Sequence, residues 1–264
     1  MKSQKRNFII AGNWKMNPDS LADAKTIFAA ISRKARSARH TVVVLAPPAP
    51  FLSAGASRSG RAGTAACLAI QDVSEHVSGA FTGSVSARQA RSAGAEYAII
   101  GHSERRKAGD TDMIVSQKVR QALDAGLRTI VCVGETERDP HAHYLRTVRE
   151  QILAVVGALD KKQVRSLTHS LIVAYEPVWA VGKSYDTAPK PSDIHEMSIY
   201  IKKVIAESLG KKIGIKIPVL YGGSVDLENS KAILKDGGID GLLVGRQSLD
   251  SKDFGGMIDY ADSL

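Results

Sequence analysis

At 264 residues, 44% hydrophobic and 24% charged, the chain has ample apolar material for a core and an ordinary charged surface. No apolar run approaches the roughly 20 residues that a membrane-spanning helix needs. The basic start, Met1–Arg6, leads into only Phe8–Ala11 before Gly12, too short a core for a signal peptide, so a cytoplasmic protein is expected. The net charge of +9 comes from dispersed Lys and Arg with few interleaved aromatics, which favours a solvated basic surface over a nucleic-acid interface; such a field can also steer an anionic substrate.

Eight short apolar runs read as strands: Phe8–Ala11, Val42–Ala46, Cys67–Gln71, Tyr97–Ile100, Thr129–Val133, Leu171–Tyr175, Val219–Tyr221 and Gly241–Val244. Helical patterns fall between them, most clearly over Leu21–Ala35, Ser84–Ala93, Ile114–Ala125, Tyr144–Leu159, Ser192–Ser208 and Leu227–Lys235. Ser192 and Asp193, just after Pro191, mark a helix start. Eight strand–helix units in about 250 residues is the arithmetic of a closed (β/α)8 barrel. The runner-up, an open doubly wound sheet, is disfavoured because no Gly-x-Gly-x-x-Gly follows the first strand. No low-complexity linker divides residues 1–264, so one domain is expected.

Several strands end in chemistry-bearing residues. The first delivers Asn13 and Lys15, and the fourth delivers His102, which opens Ser103-Glu104-Arg105-Arg106, the first turn of a helix. The sixth ends in Glu176, where Pro177 stops the ladder and an apolar loop runs to Gly182. A carboxylate so placed suits a catalytic base under a lid, and equally a strand-ending acid that meets solvent. The seventh and eighth strands end in Gly222-Gly223-Ser224 and Gly245-Arg246. In a parallel α/β protein all such ends lie on one face. Cys67 and Cys132 fall in apolar runs and read as buried thiols, not a disulfide. His141-Ala142-His143 is the one close histidine pair, in a polar stretch that carries no metal pattern.

Asn13-Trp14-Lys15, Ile100-Gly101-His102-Ser103-Glu104-Arg105-Arg106, Tyr175-Glu176-Pro177-Val178-Trp179-Ala180 and Tyr221-Gly222-Gly223-Ser224-Val225 closely resemble, in order, the motifs of the triosephosphate isomerase family. The resemblance runs from about residue 7 to the C-terminus. It implies cofactor-free interconversion of dihydroxyacetone phosphate and glyceraldehyde 3-phosphate through an enediol under a closing lid, in glycolysis and gluconeogenesis. It also implies roles: Glu176 as base, a neutral His102 as electrophile, Lys15 as fixed charge, and Asn13 as donor to substrate oxygen, as is characteristic of this family. Glu104 would support the site by ion pairing or proton relay, with Cys132 beside the base and Tyr221 in support. Backbone amides at Gly182, Ser224, Gly245 and Arg246 would hold phosphate.

Three departures from the family stand out. Arg246 replaces a common glycine, a change that keeps the backbone amide. Lys183–Pro189 replaces the usual small residues at the far end of the lid. Ser84 stands where the dimer-docking loop Gly79–Ser84 often carries an acid, so a usual interaction with Arg105 is expected to be missing. By resemblance Thr82 of that loop reaches the partner's active site in a homodimer. Two competing functions are another phosphosugar isomerase or an aldolase on the same barrel, the aldolase needing a Schiff-base lysine or a metal set, and a non-enzymatic binding barrel. The latter has no need of Glu176, His102 and Lys15 together.

Overall fold

A computed structural model describes residues 7–56, 65–180 and 189–264. Its strands are β1 (Phe8–Asn13), β2 (Thr41–Ala46), β3 (Cys67–Ile70), β4 (Tyr97–Ile100), β5 (Arg128–Val133), β6 (Leu171–Tyr175), β7 (Val219–Tyr221) and β8 (Gly241–Val244). All pair in parallel with their sequence neighbours, and β1 also pairs with β8, so the sheet closes into an eight-stranded barrel. Closure removes the open doubly wound alternative.

Alternation along each strand explains the layers. Ile9, Ala11, Val44, Ile99, Ile130, Cys132, Ile172, Ala174, Leu220 and Leu243 fill the barrel interior. Their neighbours Phe8, Ile10, Val43, Leu45, Val131 and Val173 face the surrounding helices. The same period of two carries to the end of β1 and past the end of β6. The inward series Ile9, Ala11 leads to Asn13, and Ile172, Ala174 leads to Glu176.

The helices are α1 (Leu21–Ala35), α2 (Ser53–Ala56), α3 (Ala87–Ser92), α4 (Ser103–Lys107), α5 (Asp112–Asp124), α6 (His143–Gly157), α7 (Lys161–Ser170), α8 (Pro191–Leu209), α9 (Lys211–Gly214), α10 (Leu227–Asp236) and α11 (Ser251–Ser263). Helix α3 starts later than the apolar pattern suggests because Ser86, not Ser84, closes a capping box with Gln89. Helices α7 and α11 are additions to the sequence reading. The first is polar and starts on the Asp160–Gln163 capping box; the second contains Gly255-Gly256, poor helix formers held by the burial of Phe254, Met257 and Ile258.

Candidate active site

The C-terminal ends of the strands surround a cavity of about 500 Å³ lined by Asn13, Lys15, His102, Glu176, Ser224 and Arg246, among others. It sits where barrel folds place their sites.

Glu176 is 2% exposed. Its N–H donates to Val133 O at 2.8 Å, which docks it on β5. Gly134 makes this approach possible, since a Cβ there would stand 1.9 Å from Glu176 O. Gly222 gives similar clearance, its Cβ position lying 2.9 Å from Glu176 Cγ. Glu176 Oε2 accepts the Ser103 N–H at the start of α4 at 3.0 Å. Oε1 lies 3.5 Å from His102 Nε2 and has no hydrogen-bond partner among the described residues. The carboxylate therefore has one oxygen anchored and one facing the imidazole.

His102 is the N-cap of α4, and its Nδ1 accepts the Glu104 N–H at 3.2 Å. An accepting Nδ1 carries no proton, so the ring is the tautomer with its proton on Nε2, turned toward Glu176 and the cavity.

Lys15 takes φ +54, a left-handed conformation costly for a side-chain-bearing residue. Two contacts hold it. Asn13 Oδ1 accepts the Lys15 N–H at 3.0 Å, and Gln71 Nε2 donates to Lys15 O at 2.8 Å while also reaching Ala46 O. Lys15 Nζ meets Glu104 Oε1 at 2.6 Å. Burial pushes the Glu104 carboxyl up, but the hydrogen bond and charge of Lys15 outweigh it and leave the group below its ordinary range. A Cβ on Gly245 would fall 3.6 Å from Lys15 Cε, so the β8 loop flanks the lysine stem. Arg246 opens a 3-10 turn there and is exposed at the cavity wall.

The remaining expected residues sort by depth. Cys132 lies in the barrel interior beneath Glu176, its thiol pushed well above the ordinary range by burial and then by Glu176. Tyr221 is buried below the Gly222-Gly223 turn, with no hydrogen-bond partner for its hydroxyl among the described residues. Thr82 lies on the exposed loop after β3, away from the cavity lining. Gly182 and the lid segment 183–188 fall outside the described residues.

Two groups that the sequence reading passed over also support the site. Arg105, whose usual interaction with an acid at position 84 is expected to be missing, pairs within its own chain with Asp72 at 3.0 Å and Asp110 at 3.2 Å. Lys118 joins the same two acids, completing an alternating ring of charge. Second, Glu135 Oε1 receives both Tyr175 OH and Trp179 Nε1 at 2.8 Å. Glu135 had a sequence signal, as the one acid directly after β5, facing the strand that ends in Glu176.

A family model for triosephosphate isomerase matches residues 8–261. The triosephosphate isomerase of Coprinopsis cinerea is 39% identical over 246 residues, covering 92% of this chain and 94% of that protein. The enzyme of Symbiobacterium thermophilum is 38% identical, with 94% of each covered. Among solved structures, triosephosphate isomerase from Bartonella henselae superposes with a TM-score of 0.82 at 32% identity, covering 96% of this chain and 98% of that one.

Proposed function

The chain belongs to the triosephosphate isomerase family, and from that premise we propose that it interconverts dihydroxyacetone phosphate and D-glyceraldehyde 3-phosphate in glycolysis and gluconeogenesis. The observation that carries the reading is the pairing of a nearly buried carboxylate, Glu176, with the Nε2 face of His102 inside one cavity.

The reaction moves a proton between adjacent carbons, so it needs one base over both carbons and a hydrogen-bond donor facing both oxygens. Glu176 takes the proton from one carbon and returns it to the other. His102 Nε2–H donates to the carbonyl oxygen and steadies the enediolate. Lys15, fixed by Asn13, Gln71 and Glu104, attracts the phosphate and stabilises the developing negative charge. Asn13, already bonded to the Lys15 backbone through Oδ1, offers its amide to substrate oxygen. The amides of Ser224, Gly245 and Arg246 hold phosphate, with Gly182 contributing from outside the described residues.

An aldolase reading is weaker, because Lys15 Nζ is engaged with Glu104 as a charge anchor and not presented as a desolvated nucleophile. We also read the protein as a cytoplasmic homodimer. The exposed Met16, Val77 and Phe81 lie on or beside the loops that carry Lys15 and Thr82, which suits a docking face. Sedimentation at micromolar concentration tests this; a monomer alone would refute it.

The test of the reaction is wild-type isomerisation of glyceraldehyde 3-phosphate, coupled to reduction of the dihydroxyacetone phosphate formed. Rapid turnover is expected. Trapping of a substrate adduct on Lys15 by borohydride, without isomerisation, would replace this reading with the aldolase.

A further inference from the structure

Arg138 lies in the polar stretch between β5 and α6, in no motif and outside the cavity lining. Its guanidinium is nevertheless the centre of a cluster. It stands 4.8 Å from the Tyr144 ring centroid and 5.7 Å from that of Trp179. Its Nε lies 3.5 Å from Glu135 Oε1, and a terminal nitrogen lies 3.4 Å from Tyr175 Oη. The Glu135 side chain is 2% exposed, and its Oε2 is buried without a hydrogen-bond partner among the described residues. Arg138 is the cation paired with this buried anion.

Glu135 in turn grips the turn that follows Glu176 at two points. Its carbonyl accepts the Val178 N–H at 2.9 Å, and its carboxylate accepts the Trp179 indole N–H at 2.8 Å. The indole is thus held at its edge by Glu135 and on its face by the guanidinium.

We propose that Arg138 is a positioning residue for the reaction: it neutralises Glu135 and stacks on Trp179, and so fixes the Pro177–Ala180 turn that sets where Glu176 sits. Arginine suits the task because one flat, permanently charged group can stack on two rings while donating to a carboxylate; lysine offers the charge without the plane. Removing the cation would leave a buried carboxylate uncompensated, and the indole would lose one of its two restraints. The catalytic part of this inference rests on the isomerase reading; the structural part does not.

The test uses Trp14→Phe as the background, so that Trp179 is the one tryptophan left of two. Trp14 Nε1 is buried without a hydrogen-bond partner among the described residues, so phenylalanine removes none of the hydrogen bonds seen there. Acrylamide quenching of Trp179 fluorescence and isomerisation kinetics are then measured for Arg138→Ala and Arg138→Lys. The alanine variant is expected to quench about twofold more readily and to lose about tenfold in kcat/KM, chiefly in kcat, because the base is misplaced while the phosphate contacts remain. The lysine variant is expected to fall between alanine and arginine in both readouts. If the alanine variant does not fold, Arg138→Gln is read by the same two measurements. Quenching unchanged from the background together with kcat/KM within about twofold of it, even with a lowered unfolding temperature, would overturn the proposal. Absence of isomerisation in the wild-type protein would refute the isomerase reading instead, and the quenching result would still decide whether Arg138 positions Trp179.

Discussion

The two ends of this barrel carry similar polar groups in different settings. At the N-terminal end of the strands Cys67, Tyr97 and Arg128 come together beside Glu96; Arg128 donates to the Tyr97 hydroxyl and stacks over its ring at 4.8 Å. At the C-terminal end Cys132 and Glu176 form a comparable group with His102. Each end has a buried cysteine pushed up by burial, Cys67 to about 12 and Cys132 well above its ordinary range, each with a nearby glutamate as a further cause. None of Cys67, Tyr97, Glu96 and Arg128 lines the 500 Å³ cavity, whereas His102 and Glu176 do. A perturbed thiol or a buried tyrosine thus marks burial. A site additionally needs room beside groups that can move a proton.

Paired substitutions sharpen that contrast. The largest effect is expected at Glu176: replacement by Gln should lower kcat by about 10³-fold or more, while Glu96→Gln at the opposite end stays within about twofold in the same coupled assay. Next, His102→Gln should cost about 10²-fold in kcat with the far-ultraviolet circular dichroism unchanged, because a donor to the enediolate is misplaced and the fold is not. Tyr97→Phe should do the reverse. It leaves Arg128 without a hydroxyl partner and costs about 1–2 kcal/mol in urea unfolding, with kcat/KM unchanged. An activity loss in this variant would break the division between the two ends.

The smallest effect concerns Glu104, which is more than half exposed. Its folded-state carboxyl lies below the ordinary 4.5, so the ionised form contributes stability that is present above that pH and is lost as pH falls through the folded value. The stability difference between wild type and Glu104→Gln should be constant above about pH 4.5 and shrink below it, as followed by urea unfolding at a series of pH values.

How much of this was legible in the sequence depends on the range of the interaction. Glu176 was readable because a local event, Leu171–Tyr175 meeting Pro177, places it at a strand end. The eight strands were readable for the same reason, with shifts of one or two residues at β1, β2, β3 and β5. What the local pattern does not encode is closure across the chain. Trp179 finds Glu135 44 residues away, and Arg105 finds Asp72 across the β3 loop. Lys15 is held in its left-handed conformation by Gln71, 56 residues distant. Arg105 likewise finds acids that position 84 does not supply, at Asp72 and Asp110 of the same chain. Gly134 was hidden for a different reason, since its need arises from a neighbouring strand's carbonyl and not from its own backbone angles.

The central claim is that Glu176 moves the proton. The most direct measurement is isomerisation of glyceraldehyde 3-phosphate in deuterium oxide, followed by nuclear magnetic resonance, for wild type and Glu176→Gln. Wild type should place solvent deuterium on the carbons beside the carbonyl as it turns over, and the folded variant should label them slower by about 10³-fold or more. Labelling by the variant at the wild-type rate would contradict the account.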